Sequence, residues 1–178
     1  MIVSVCVVAY NEEKVLGKLL EDIQAQDYDH GKMEVVLIDS MSTDSTKEIM
    51  DRFQQQMTDF KNVQVLKNPG KKQASGWNVA IKNFSGDVMI RVDAHASIPP
   101  EFVRKNVEIL ESGEMVSGGP RPNMIDESTP WKETLLLAEQ SMFGSSMASY
   151  RRSQKKQYVK SLFSWCVSKR SFGESRWV

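Results

Sequence analysis

What most constrains this chain is a repeated pattern. A short, almost wholly apolar run stops abruptly at polar residues and gives way to a helical spacing. The first run is Ile2 to Ala9, rich in valine, and it ends at Tyr10, Asn11, Glu12 and Glu13. It is too continuous for a strand with one wet face and too short to span a membrane, so it suits a strand buried on both faces of a parallel sheet. Asn11 then reads as a helix N-cap, with Glu12 and Glu13 in a first turn where the positive end of the helix dipole favours them. Val15, Leu16, Leu19, Leu20 and Ile23 follow at helical spacing.

The unit recurs. "MEVVLIDS" (33–40) reads as a second buried strand, and "MSTDSTKEIMDRF" as a capped helix presenting Ile49, Met50 and Phe53. "NVQVLKN" alternates and predicts a shorter third strand, closed by a turn at Pro69-Gly70. Ala74 to Phe84 predicts a helix with Trp77, Ala80, Ile81 and Phe84 inward. "DVMIRVDAH" predicts the next strand, Pro99 and Pro100 open another helix, and "EMVSGGP" gives a last short strand. Such alternation implies an α/β fold: a mostly parallel central sheet with helices on both faces, wound right-handed. After Pro120 the pattern weakens. Trp131 to Phe143 carries a helical spacing, Arg151 to Lys160 is basic and polar, and "SFGESRWV" at the end has no element signal. This last quarter is expected to be loop-like or partly irregular.

The bulk numbers bound the function. The 178 residues suffice for one domain with a core that needs no disulfides. Lys plus Arg and Asp plus Glu are 23 each, which removes the electrostatic case for nucleic acid as a partner. The two cysteines form no framework, and Cys6 reads as a small buried hydrophobe. The N-terminus lacks the basic start of a signal peptide, so the chain reads as cytoplasmic, with contact at a membrane surface left open. There is no Gly-x-Gly-x-x-Gly after the first strand, no Walker loop and no Gly-x-Ser-x-Gly elbow. Two histidines, His30 and His95, do not make a histidine-rich zinc site.

In an open parallel sheet, ligands bind beyond the carboxyl ends of the strands. Three polar features fall there: Tyr10 to Glu12, Asp39, and Asp93-Ala94-His95. In extended chain, Asp93 and His95 project to the same side and could share a divalent ion. Equally, Asp93 could cap a turn beside a merely polar His95. Asp39 could accept from a nucleotide N–H or cap the next turn, with Ser40, Ser42 and Asp44 as competitors. Tyr10 could stack on a base or pack on a loop, and Trp77 sits at core spacing. Lys67, Lys71 and Lys72 around the Pro-Gly turn could meet phosphate or simply be solvated.

Together, "VSVCVVAYNEE", "VVLIDSMSTDST" and "KKQASGWNVAI…SGDVMIRVDAHA" resemble a family 2 glycosyltransferase with the GT-A fold. The forms "DSMSTDST" and "RVDAHA" are closest to the branch that builds exopolysaccharides such as succinoglycan. The likeness covers roughly Met1 to Pro122. It implies a Rossmann-like nucleotide-diphospho-sugar-binding domain over residues 1–122, followed by an incomplete acceptor-side segment at 123–178. It also implies inverting, metal-dependent transfer of a sugar from a nucleotide-diphosphate donor to a polysaccharide or lipid-linked acceptor. By that resemblance Ala9, Tyr10 and Glu12 line the base and ribose pocket, and Asp39 receives the base N–H. Lys72 and Asn78 lie near the ribose or phosphates. Asp93 and His95 lie at the diphosphate and a Mn²⁺ or Mg²⁺ ion.

Two departures stand out. The family's metal motif is Asp-x-Asp, and here it ends in His95. Relatives also continue with an acidic pair supplying the general base and an Arg/Gln-x-x-Arg-Trp motif. Here Gly173 precedes Arg176-Trp177 in that motif's first place, and no Glu-Asp pair follows Phe163. The chain is therefore expected to be a donor-binding half whose base lies elsewhere; Glu127, Glu133 and Glu139 are not at matching positions. The alternative is a nucleotide-binding module without transferase activity. A nucleotidyltransferase would need a Gly-rich, Arg-containing loop after the first strand, which is absent. The basic segment at Arg151 could touch an anionic membrane at the inner face, and apolar surface left by a missing half could drive homo-oligomers.

Overall fold

Every residue of the first strand, β1 (Val3–Ala9), is buried, as is every residue of β2 (Met33–Asp39). That is what an uninterrupted apolar run requires. The computed structural model describes residues 1–119, 128–140, 158 and 166–169. The remaining strands are β3 (Asn62–Lys67), β4 (Val88–Asp93), β5 (Val116–Ser117) and β6 (Cys166–Ser168). They form one sheet in the order β3-β2-β1-β4-β6-β5. The β3, β2, β1 and β4 ladder is parallel, while β6 runs antiparallel to both β4 and β5.

Alternation along the strands sorts the core into two layers. Val3, Val5, Val7 and Ala9 of β1 join Met33, Val35 and Leu37 of β2 on one face. There they meet α1 (Leu16–Gln24), α2 (Thr46–Gln56) and α4 (Phe102–Glu111) through Leu16, Leu19, Ile23, Met50, Phe53 and Val103. Cys6, Val8, Val36, Ile38 and Met89 turn to the other face and meet α3 (Gln73–Asn83) through Ala80, with Trp77 half-buried beside them. Each fully buried leucine or isoleucine contributes about 1.5–3 kcal/mol relative to an exposed one. Helices thus cover both faces of a mostly parallel sheet, as the alternation implies.

Three local expectations need correction. Asn11 does not cap α1, which begins at Leu16 after a turn in which Val15 and Leu16 donate to the Glu12 carbonyl. Pro99 and Pro100 lie just ahead of α4, and the Pro99 carbonyl accepts from Phe102 N. Within the last quarter, read as loop-like, Cys166–Ser168 is a strand, and it inserts between β4 and β5. Its three residues are too few to show a period.

The chain divides into two units, Met1–Ser117 with Ser164–Val178, and Gly118–Phe163. The described part of the second is Gly118 and Gly119, α5 (Pro130–Gln140) with its approach, where Lys132 N donates to Thr129 Oγ1, and Tyr158. The predicted helix from Trp131 thus begins one residue earlier. Of the basic segment Arg151–Lys160 only Tyr158 is described. Glu127, Arg176, Trp177 and the side chain of Glu139 also lie outside the described residues.

Candidate functional site

The carboxyl ends of β1, β2 and β4 come level at one edge of the sheet. Ala9 stands beside Asp39, and Val8 beside Asp93. Two further bonds, Ser40 N to the Ala9 carbonyl (2.9 Å) and Asn68 N to the Asp39 carbonyl (2.8 Å), carry the ladder one step past the strands.

The loops leaving β1 and β2 are clasped together. Asn11 N donates to Ser42 Oγ (3.1 Å), Glu12 N to Thr46 Oγ1 (2.7 Å) and Glu13 N to Asp44 Oδ2 (3.2 Å). In return, Thr43 N donates to Asn11 Oδ1 (2.8 Å) and Ser45 N to Glu13 Oε2 (3.0 Å). The polar residues after Tyr10 therefore satisfy a neighbouring loop and the open N-terminus of α2 rather than their own helix. Burial pushes the Asp44 carboxyl up, but donation from Thr46 and Glu13 outweighs it and leaves it below the usual range. Among the described residues, the non-glycine residues with positive φ are Asn11 (55°), Met41 (64°) and Lys71 (57°). All three sit in loops at this edge. Strained backbone of that kind persists only where surrounding bonds hold it, and it concentrates at functional sites.

A cleft of about 140 Å³ opens here, lined by Ala9, Tyr10, Glu12, Asp93 and His95, together with Val8, Ser40, Lys71, Gln73 and Ala94. That is below the roughly 300–1,000 Å³ that encloses a drug-sized ligand. Across the mouth, His95 Nδ1 lies 3.4 Å from Glu12 Oε1. Tyr10 is half exposed at the rim, free to face a flat ligand.

The remaining expected residues sit around this cleft rather than on its wall. Asp39 is buried, and its Oδ1 accepts from Ser42 N at 3.0 Å, which shapes the turn. In-register neighbours of a parallel ladder face the same side. Asp39 therefore leaves the sheet on the side of Ala9, and Asp93 on the side of Val8. Lys72 caps α3, its carbonyl accepting from Asn68 Nδ2 (2.9 Å) and Ser75 Oγ (2.8 Å). Asn78 is exposed on α3. Lys71 and Gln73, flanking Lys72, are the residues of this turn that line the cleft. The Pro-Gly turn signals the bend there, but not which of its lysines lines the cleft. Gly76 brings α3 close enough that a Cβ would stand 2.6 Å from Val8 Cγ1. Asn68, fully buried, ties Ser40 to this turn at 3.0 Å.

The loop bearing His95 is fixed from behind by α1 and the turn that follows it. Asp22 accepts from Ser97 Oγ (2.6 Å) and Ile98 N (3.1 Å). Gln26 donates to the Pro99 carbonyl (2.9 Å) and accepts from Val103 N (3.0 Å). Sequence patterning gave these two polar residues no role. The signal was available for Asp22, a charge on the otherwise apolar, inward face of α1; Gln26, two residues past the end of that helix, carries no such signal.

Among the described residues, no group of three or more His, Cys, Asp or Glu side chains could hold a metal ion. Asp93 and His95 offer one carboxylate and one imidazole at the cleft. As a donor set, a carboxylate suits Mg²⁺ or Mn²⁺ and an added imidazole shifts the preference toward Mn²⁺, with the other positions left for ligand oxygens and water. No described helix is long and apolar enough to cross a membrane.

Comparison with known proteins gives this edge a context. The model of the family "Glycosyl transferase family 2" matches residues 4–169. The undecaprenyl-phosphate 4-deoxy-4-formamido-L-arabinose transferase of Pseudomonas syringae pv. syringae is 32% identical over 83% of this chain and 44% of its own length. S. aureus TarS 1-349, solved with UDP-GlcNAc, superposes with a TM-score of 0.63 at 26% identity, covering 73% of this chain and 37% of that one. The mannosyltransferase PcManGT of Pyrobaculum calidifontis, solved with GDP-Man and Mn²⁺, gives 0.63 at 29% identity over 68% and 36%. The chain spans under half the length of the curated relatives it matches. The mixed α/β sheet is the GT-A arrangement of these neighbours.

Proposed function

The chain belongs to glycosyl transferase family 2, and from that premise we propose that its cleft binds a nucleoside-diphosphate sugar whose glycosyl group is passed to a hydroxyl. The observation that carries this reading is the convergence of Glu12, after β1, and of Asp93 and His95, at and after the end of β4, on one cleft at the carboxyl edge of the sheet. Ala9, Tyr10 and Glu12 form the base and ribose wall. Asp39, off the cleft wall, shapes the turn beside the base, and Lys71 and Gln73, which line the cleft where Lys72 and Asn78 do not, lie toward the ribose and phosphates. Asp93 and His95 are the residues that would hold a Mn²⁺ or Mg²⁺ ion. A divalent ion there would neutralise charge on the departing diphosphate.

The reaction is a single displacement. The anomeric C–O bond to the β-phosphate breaks, a bond to the acceptor oxygen forms on the opposite face, and the acceptor's proton passes to a base. Inversion follows from that one step. The acceptor is a polysaccharide or lipid-linked glycan, in keeping with the polyprenyl-phosphate substrate in the name of the Pseudomonas relative. The "DAHA" form at Asp93 supports the exopolysaccharide branch. A cytoplasmic protein touching the inner membrane face, and self-association through exposed apolar residues such as Trp131 and Leu137, belong to the same reading.

The test is release of UDP or GDP from a panel of sugar nucleotides with Mn²⁺, with and without undecaprenyl-phosphate-linked glycans. Acceptor-dependent release supports transfer. Nucleotide binding with no release under any pairing assigns this chain donor binding alone.

A further inference from the structure

Arg91 is a charge where the apolar pattern of β4 gives no reason for one. Its strand neighbours Met89, Ile90 and Val92 are fully buried, and it stands beside Cys6 in the register with β1. The guanidinium carbon lies 4.6 Å from the ring centroid of Trp77 on α3, and Nη2 reaches Asp93 Oδ1 at 3.3 Å. Arg91 Nε and Trp77 Nε1 are buried with no hydrogen-bond partner among the described residues. An arginine so placed is costly unless its charge is answered. Asp93, only 5% exposed, answers it.

Asp93 is also the carboxylate that the cleft offers to a divalent ion. An oxygen already held by a cation attracts a second cation less. His95 adds no negative charge where a second carboxylate would, because imidazole binds metal in its neutral form. Arg91 and Asp93 thus cancel, and Glu12, 3.4 Å from His95, is the other carboxylate lining the cleft.

Resting on the reading of the cleft as a donor site, we propose that Arg91 is a positioning residue that holds Asp93 through the Trp77-backed ion pair and competes with the divalent ion for it. The cleft then takes up metal weakly by itself and firmly once a diphosphate brings its own oxygens and negative charge. Trp77 seats the guanidinium, so Arg91 stays by Asp93 instead of reaching into the cleft.

The experiment titrates Mn²⁺ alone, and Mn²⁺ with UDP or GDP, into the full chain, reading free Mn²⁺ by paramagnetic resonance. Arg91→Met removes the competing charge. Arg91→Gln keeps a polar head should the methionine variant fail to fold. An opposite charge at this range shifts the balance of a carboxylate by a factor of roughly ten or more. Either folded variant is therefore expected to bind Mn²⁺ alone roughly tenfold more tightly than the native chain, narrowing the gain that the diphosphate confers. Unchanged or weaker Mn²⁺ binding in a folded variant, beside native Mn²⁺–nucleotide binding, overturns the role of Arg91 and leaves the donor site standing. Absence of Mn²⁺–nucleotide binding by the native chain overturns both.

Discussion

The Glu12 carboxylate stands 3.4 Å from Nδ1 of His95, joining the loop after β1 to the loop after β4 across the cleft. His95 is half exposed, and exposed pairs of this kind contribute about 0–1 kcal/mol. His95→Ala should therefore leave thermal stability within about 1 kcal/mol of the native chain. The same change should weaken Mn²⁺-assisted nucleotide binding by roughly tenfold or more, as loss of groups at a metal site does. Thermal unfolding and calorimetry on one sample separate the two effects. A large loss of stability with native binding would recast His95 as a structural residue.

Glu34 links acid stability to the sheet. Burial pushes its carboxyl up, but donation from Ser4 Oγ (2.5 Å), Ser85 N (2.8 Å), Asn62 and Ser85 Oγ prevails and leaves it below the ordinary glutamate range. A depressed folded value adds stability that is complete above the unfolded value, about 4.3, and lost as pH falls through the folded one. Glu34→Gln should cost about 1–3 kcal/mol at pH 7. It should also flatten the fall in denaturant midpoint between pH 5 and pH 3. Parallel pH curves for the two proteins would show that Glu34 is not the group responsible.

Asp22 should act on the His95 loop from outside the cleft. Its carboxyl is pushed up by burial, yet donation from Ser97, Lys18 and Ile98 N brings it below the usual range. Asp22→Ala leaves the Ile98 N–H without its acceptor, at a cost of about 1–3 kcal/mol. Amide exchange should accelerate at Ile98 while staying native at Val35 in β2. Uniform acceleration would mean that the loop has no separate anchorage.

Gly76→Ala sets two opposing effects against each other. Alanine favours a helix interior over glycine by about 1 kcal/mol. Its Cβ would meet Val8 Cγ1 at 2.6 Å and Asn68 Nδ2 at 3.2 Å, and overpacking of that kind costs about 1–3 kcal/mol. A net loss of stability is expected, with weaker nucleotide binding because Val8 lines the cleft. A stabilised variant would mean that α3 can withdraw freely.

Both thiols should resist alkylation in the folded chain. Burial, with Glu34 nearby, pushes Cys6 far up, and burial pushes Cys166 up to about 12. Thiolate is the reactive form, so labelling must await opening. Cys166 lies on a strand of three residues and Cys6 on the central β1. Pulsed iodoacetamide should therefore mark Cys166 before Cys6; the reverse order would contradict this ranking of local stability.

The strands of the parallel ladder were legible because burial on both faces writes itself as an apolar run, and β1 and β2 show it residue by residue. The boundary of α1 was not. Asn11 and Glu13 have the composition of a helix start, yet their side chains bind the loop after β2, and a pairing across thirty-odd residues leaves no local mark. β6 was hidden because a three-residue strand depends on its partners, not on its own pattern. At the cleft, Tyr10, Glu12, Asp93 and His95 could be placed from strand ends alone. Lys71 was one of three candidate lysines around the Pro-Gly turn and Gln73 was not among the candidates, because nothing local to that turn marks which of its residues line the cleft. Arg91 was visible as a charge inside an apolar strand, and only the fold shows Trp77 beneath it.

The central claim is that this edge of the sheet binds a nucleoside diphosphate together with a divalent ion. Calorimetric titration of UDP and GDP into the native chain and Asp93→Asn, each with Mn²⁺ and with chelator, tests it most directly. One nucleotide should bind the native chain more tightly with Mn²⁺, and Asp93→Asn should lose that increment. No binding of either nucleotide at millimolar concentration, or an undiminished Mn²⁺ effect in Asp93→Asn, would contradict the account.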